Sequence, residues 1–359
     1  MKKYLLKVLL LSIIAAPFIS CSDDDDEPWV EPEVNLTGAY ILNSGMMKTV
    51  DGNLAYYDID NKKVTTDIFS KMNDGLSLGD AVQDMKVYGS KMYITVTNSN
   101  KIYVTNRRAK LVKDGIISPE NESKQPLRPR SIVTNNGKVY VSTEAGYVLR
   151  IDTTSMAMDK VKVGTFTEEM TIVGNKLYVT NSRVGSNIVS VLNLNNFTAQ
   201  KKDIVVDDNP AVITRDAQGN VYVICWGDFN AATTTSSFNK IDSNDKVTQI
   251  ATNAATLMAV DGDRILLILL DYINSIINFS YYDINTGKIE DKSFITDGTE
   301  VADVNSLTVD PVTRNIYIGI NRNNSMGEMY IFSSEGKLIS KFGTGGYYPM
   351  GAYFLKGIK

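Results

Sequence analysis

Histidine is missing from this 359-residue chain altogether, and cysteine nearly so, with two residues. Without imidazole there is no Ser-His-Asp or Cys-His nucleophile, no imidazole general base and no His-held zinc, copper or haem. Any active site would work with carboxylates, lysine, tyrosine or backbone groups alone. Long apolar runs are missing too. The greasy stretch from Val8 extends for about a dozen residues, against the roughly 20 that a spanning helix needs. A second run, Ile265 to Leu270, is shorter still and reads as a buried strand. No long window carries the i, i+3, i+4, i+7 pattern of an amphipathic helix. One-sided charge is confined to the N-terminal end: Lys2, Lys3 and Lys7 precede an acidic cluster from Asp23 to Glu33, which accounts for the formal net charge of −4. The remainder is balanced, so it offers no basic face and no nucleic-acid partner is expected. With 43% hydrophobic residues the chain has ample material for a core.

The first 20 residues read as an address. A basic start, Met1-Lys2-Lys3-Tyr4, leads into a short apolar core and then a small residue before cysteine. The string Phe18-Ile19-Ser20-Cys21 resembles a bacterial lipobox in its looser Bacteroidetes form. The resemblance implies a lipoprotein signal peptide over 1–20, cleavage before Cys21 and lipidation of Cys21. Several acyl chains then hold a protein firmly on a membrane. The bland alternative is an ordinary secreted protein with a chance cysteine. Ser22-Asp23-Asp24-Asp25-Asp26-Glu27 follows. As chemistry it is a self-repelling, extended spacer. As a resemblance it looks like the export signal that sends Bacteroides-type lipoproteins to the outer face of the outer membrane. Pro28, Pro32 and the absence of periodicity make residues 21–36 a lipidated cysteine plus acidic tether.

The body repeats. A turn, a polar residue, an apolar residue, tyrosine and an apolar residue recur as Ser90-Lys91-Met92-Tyr93-Ile94, Gly137-Lys138-Val139-Tyr140-Val141 and Asn175-Lys176-Leu177-Tyr178-Val179. They return as Gly219-Asn220-Val221-Tyr222-Val223 and Arg314-Asn315-Ile316-Tyr317-Ile318, with weaker copies around Tyr40 and Leu266. Seven units of about 45 residues match the blade period of β-propellers. Within the third unit the strands are expected at Arg130–Val133, Lys138–Ser142, Tyr147–Asp152 and Met158–Val163, with a hairpin at Asn135-Asn136-Gly137. Third strands end in apolar-Asp or apolar-Asn pairs (Ile59-Asp60, Ile151-Asp152, Ile241-Asp242, Ile284-Asn285), which start Asx turns. The unit at Tyr40 lacks a first strand, and the unmatched C-terminal segment Tyr347–Leu355 supplies one, closing the ring and removing two sheet edges. The fold class is therefore all-β: a seven-bladed β-propeller over residues 37–357 with the C-terminal strand completing the first blade. A sandwich or two stacked barrels is the alternative.

Segments such as Gly174-Asn175-Lys176-Leu177-Tyr178-Val179-Thr180-Asn181 resemble the YncE-like, surface-layer-type seven-bladed propellers. With Cys21 and the acidic string, the whole is similar to the surface propeller lipoproteins of Bacteroidetes, whose cobalamin-binding members are of the BtuG type. The resemblance implies a surface-exposed, lipid-anchored outer-membrane protein that binds a small nutrient, cobalamin or another corrinoid. It also implies a TonB-dependent, BtuB-like transporter as partner. Cobalamin would be a ligand and not a cofactor.

Position in the repeat picks out a ring of residues on the face formed by loops after second strands and before first strands. After second strands come Asn43, Asn98, Glu144, Asn181, Arg183, Trp226, Asp228, Asp271, Tyr272, Asn321 and Arg322. Before first strands come Asp80, Arg128, Asp208, Asn209, Tyr347 and Tyr348. Amides donate and accept hydrogen bonds, and aromatics give flat apolar area with little entropy loss. Such a ring suits a large polar ligand without net charge, a corrinoid or an oligosaccharide. Each of these residues is also an ordinary turn former or a partner in a surface ion pair. No catalytic residue and no metal ligand is assigned, and no enzyme activity is expected. The alternatives are a lactonase-type propeller enzyme with a channel calcium, since calcium takes oxygen ligands, and a carbohydrate- or protein-docking scaffold. Cys225 reads as a small buried apolar residue, and Asp152-Thr153-Thr154 resembles a Bacteroides O-glycosylation site.

Overall fold

In the computed structural model the described residues are 37–199, 203–228, 236–271, 274, 276–321 and 325–355. Cys21 and the whole leader and tether lie outside them. The described strands form seven antiparallel sheets. The third has inner strand Pro129–Asn135, then Lys138–Thr143, Tyr147–Asp152 and Met158–Lys162 outward, within two residues of the sequence expectation. Its hairpin turns at Asn136 and Gly137, both at positive φ (46° and 71°), the conformation that Asn-Gly tolerates and most residues do not.

The ring is closed by the ends of the chain. Pro349–Phe354 pairs with Ala39–Asn43, Tyr353 opposite Tyr40, and becomes the inner strand of blade 1. The other inner strands are Val82–Tyr88, Pro129–Asn135, Thr167–Val173, Pro210–Arg215, Leu257–Asp261 and Val304–Val309. Each touches the next, and the last touches Pro349–Phe354, so the seven make an unbroken circle about a channel.

The repeated tyrosine is the seam residue. Tyr40, Tyr93, Tyr140, Tyr178, Tyr222 and Tyr317 are at most 3% exposed. Each belongs to a core cluster shared with the following blade. Tyr40 packs with Val82 and Met92, Tyr178 with Ile213 and Val223, and Tyr317 with Ile41 and Ala352. Leu266 takes that place in the seam of blades 6 and 7. Burying such a side chain is worth about 2–3 kcal/mol. The core is thus seven radial wedges, which explains why the sequence period is that of the seams. Cys225 is fully buried in the wedge between blades 4 and 5, and burial pushes its thiol up to about 12.

One short element is added to the sequence reading and one local reading is corrected. A one-turn helix, Ile68–Met72, stands in the connection from blade 1 to blade 2, with Ile68, Phe69 and Met72 buried. It is too short to show a helical period. In blades 1 and 6 the third-strand turns are capped by Asp58 and Asp283, two residues earlier than Asp60 and Asn285. Asp58 Oδ1 accepts from Asn61 N, and Asp283 Oδ1 from Asn285 N and Thr286 N. Asp152 and Asp242 cap as expected.

Candidate functional site: the mouth of the channel

Six of the seven inner strands carry a β-bulge, and each bulge lies opposite the residue two positions beyond the seam tyrosine. Gln83 and Asp84 face Thr95, Arg130 and Ser131 face Ser142, and Glu168 and Glu169 face Thr180. Ala211 and Val212 face Ile224, Asn305 and Ser306 face Gly319, and Met350 and Gly351 face Leu42. A bulge inserts one residue, bends the strand and re-aims a side chain. Here the first residue of each pair is turned into the channel: Gln83, Arg130, Glu168, Ala211, Asn305 and Met350 all line one cavity of about 740 Å³. Blade 6 pairs without a bulge and contributes Leu257 and Met258. Trp226, Ser236, Asn253, Thr256, Leu270 and Asp271 complete the wall. These come from the end of a second strand (Leu270, Asp271), from loops after second strands and from loops before first strands, so the cavity opens on the face that the sequence singles out.

Blades 2 to 4 form a polar arc. The Arg130 guanidinium donates through Nε (2.9 Å) and Nη2 (2.5 Å) to Glu168 Oε1, and its Nη1 lies 3.4 Å from Glu144 Oε1. Glu144 Oε2 accepts from Arg128 Nε (2.6 Å). Arg128 Nη2 donates to Asn98 Oδ1, and Asn98 Nδ2 to Asp80 Oδ2 (2.9 Å). One network thus runs from the rim to the channel wall. Two further carboxylates bridge blades: Asp84 Oδ2 accepts from Ile132 N (2.7 Å) and Glu169 Oε2 from Ile213 N (3.0 Å). Withdrawal from water raises the carboxyls of Asp84 and Glu168, and pushes Glu169 up to about 8 despite the Ile213 amide. At neutral pH Glu169 therefore keeps its proton and is an uncharged donor. The facing arc, Ala211, Val212, Leu257, Met258, Leu270 and Leu307, is apolar.

The structure sorts the sequence-derived ring. Trp226 lines the cavity, half-buried, its Nε1 donating to Thr256 O (3.1 Å). Asn98, Arg128 and Glu144 come together in the network just described. The others stand elsewhere. Asn43 is fully buried, its amide on Asn53 Oδ1 (2.8 Å) and Thr344 O (3.4 Å), tying the closing loop. Asn181 is buried on Ser190 Oγ (3.0 Å). Arg183 is exposed, and Asp228 half-buried. Asn321 donates its backbone N–H to Asp303 O. Tyr347 and Tyr348 give backbone carbonyls to Gly45 and Ser44, and Tyr348 is 39% exposed. Tyr272 and Arg322 lie outside the described residues. Asp208 Oδ1 accepts from Gly185 N, and Asn209 Nδ2 donates to Gly227 O.

Missed from sequence were Gln83, Arg130, Glu168, Glu169 and Asn305, the bulge residues. A signal was present: in Gln83-Asp84, Arg130-Ser131, Glu168-Glu169 and Asn305-Ser306 two polar residues stand side by side within an apolar strand, where alternation allows one. Among the described residues no three acidic or thiol groups converge at metal-binding spacing.

Several solved structures share the fold at low identity. Hydrazine synthase of Kuenenia stuttgartiensis matches with a TM-score of 0.58 at 15% identity over 73% of this chain and 86% of that one. A putative 6-phosphogluconolactonase from Bacteroides fragilis matches with 0.58 at 11% over 89% and 99%. The dihydro-haem d1 dehydrogenase NirN matches with 0.56 at 11% over 90% and 76%. These likenesses concern architecture. No curated protein matches the sequence. A family model matches residues 37–355, the whole propeller, and the chain belongs to that family, described as a domain of unknown function (DUF5074).

Proposed function

We propose that this propeller is a binding protein, lipid-anchored at Cys21 on the outer face of the outer membrane. It captures a corrinoid, cobalamin first, at its channel mouth and passes it to a TonB-dependent transporter. The observation that carries the reading is the two-sided cavity of about 740 Å³. One arc offers amide, carboxyl and guanidinium groups, and the other is apolar with Trp226 at its rim. Ligand pockets are mostly apolar with a few placed polar groups. A corrin is an apolar macrocycle with an amide fringe. It would rest across the mouth with one amide-bearing edge inside. Lacking histidine, the protein has no imidazole to replace an axial ligand on cobalt, so the grip must come from the rim of the macrocycle. The basic leader, Cys21 and the acidic string support the anchoring part of the reading.

The test is direct. Purified protein mixed with cyanocobalamin should elute coloured from gel filtration and give heat by calorimetry. Trp226→Ala should weaken binding by about 1–3 kcal/mol if the indole packs on the ligand. Colourless protein without heat of binding defeats the corrinoid reading.

A further inference from the structure

The charge of the channel wall narrows the ligand class, given the reading that the channel mouth is where ligand binds. Among the described lining residues Arg130 is the only cation. It is engaged on both sides, by Glu168 at 2.5 Å and by Glu144 at 3.4 Å. Asp271 faces the cavity from the hairpin of blade 6. Asp84 stands behind Gln83, its Oδ1 accepting from Tyr353 Oη (2.9 Å). An entering anion would meet carboxylates and no cation that is not already matched. Neutral donors and acceptors are instead abundant. Ser236 is 6% exposed, and its hydroxyl is buried in the cavity wall without a hydrogen-bond partner. A buried polar group without a partner costs free energy, and a ligand atom placed there would recover it. Gln83 adds an amide from the opposite arc.

We infer that the cavity is a subsite for the carbonyl-, amide- or hydroxyl-bearing edge of an uncharged amphiphile, with Ser236, Gln83 and Glu169 as polar partners and Leu257, Met258 and Leu270 as the apolar bed. It rejects anionic ligands, phosphorylated sugars among them. Glu169 suits the role because its carboxyl, pushed up to about 8, presents a proton to a carbonyl at neutral pH.

The matched probes are N-phenyl-1-naphthylamine, which is neutral, and 8-anilino-1-naphthalenesulfonate, which adds one negative charge to the same ring system. The full chain at physiological salt should bind the neutral probe at least about tenfold more tightly. Leu270→Gln should weaken the neutral probe severalfold and so place it in the cavity. Gln83→Lys, which adds a cation to the wall, should narrow the gap between the probes at least about threefold. Equal affinity for the two probes, no binding of the neutral one, or indifference to Leu270→Gln overturns the inference. Cyanocobalamin separates this from the corrinoid reading. If the neutral probe occupies the cavity and cyanocobalamin neither binds nor displaces it, the subsite stands and the corrinoid falls. If cyanocobalamin co-elutes but the sulfonate binds as well as the amine, the reverse holds.

Discussion

Blades 2 to 4 and blades 5 and 6 share one backbone frame but are stitched together by different means. In blades 2 to 4 the residue two beyond the seam tyrosine is Thr95, Ser142 or Thr180. Its hydroxyl oxygen accepts the N–H of the second bulge residue in its own blade: Asp84 (3.1 Å), Ser131 (3.0 Å) and Glu169 (3.0 Å). In Thr95 and Ser142 its proton is directed to the inner strand of the next blade, to Arg130 O and Glu168 O, and in Thr180 it lies between Glu169 O and Ala211 O of the next blade. In blades 5 and 6 the same position holds Ile224 and Ile268, both fully buried, and packing alone fills the seam. Across blades 2 to 6 the polar bulge residues Gln83, Arg130 and Glu168 occur where the hydroxyls occur, and Ala211, Leu257 and Met258 where they do not; in blade 7 the polar Asn305 stands opposite Gly319, and the bulge's own Ser306 supplies the hydroxyl, donating to Pro349 O (2.7 Å). A hydroxyl with two fixed partners pins neighbouring inner strands at one separation, and a charged channel residue needs that precision to keep its geometry. An apolar wall tolerates small sliding at little cost.

Removing the charge centre of the polar arc should have the largest effect. Arg130→Ala leaves Glu168 withdrawn from water without its partner. A loss of about 3–5 kcal/mol in chemical denaturation is expected, as for other broken buried pairs. The double variant Arg130→Leu with Glu168→Leu converts the arc to the chemistry of blades 5 and 6, and it should regain most of that loss. A double variant no more stable than Arg130→Ala would mean that the two arcs are not interchangeable packings of one frame.

Glu169 gives the next effect, through pH. Its folded-state carboxyl sits near 8, mainly through withdrawal from water, reinforced by Glu168 and Asp84 and opposed by the Ile213 amide and Arg130. In the unfolded chain it titrates at about 4.3. The folded protein therefore holds a proton that the unfolded chain releases. The stabilisation is complete below the ordinary value and is lost as pH rises towards about 8, by up to about 1.4 kcal/mol per pH unit. Glu169→Gln preserves shape and neutrality, so its melting temperature should fall less between about pH 5.5 and 8.5 than that of the parent. Parallel curves would show that Glu169 is ionised in the fold throughout.

The same contrast decides what was legible in the sequence. The seam tyrosines are large, buried and repeated, so blade number and period could be read directly. The closing strand could be counted because the Tyr40 unit lacked one. Asn98, Arg128 and Glu144 share one face by their position after or before a strand, and the structure joins them in one network. Arg130 opens an apolar strand in the sequence, and Glu168 and Glu169 precede one without any repeat position to single them out. Paired polar residues mark four of the six bulges, but the bulge itself is one extra residue opposite one partner, and where it falls is settled by the neighbouring strand. Asn43 and Asn181 were misplaced for a related reason. A polar residue at a strand end serves the backbone of its own loops before it serves a ligand.

The smallest effect isolates the hydroxyl stitch itself. Thr180 is fully buried, and its Oγ1 accepts from Glu169 N while its proton lies between Glu169 O (3.2 Å) and Ala211 O (3.3 Å). Thr180→Val keeps the volume and removes both roles, orphaning the Glu169 amide, so a cost of about 1–2 kcal/mol is expected. Ile224→Val, at the matching position of blade 5, removes one methylene and should cost about 1 kcal/mol, within the usual range for that change. Similar losses would come from different causes, and amide hydrogen exchange tells them apart. In Thr180→Val the Glu169 amide should exchange faster than the global loss of stability accounts for, because its acceptor is gone. In Ile224→Val the seam amides should follow global stability, since no hydrogen bond there has lost a partner. Uniform behaviour in both variants would mean that the hydroxyls merely fill space, as isoleucine does, and that the polar arc owes its geometry to the ion pairs alone.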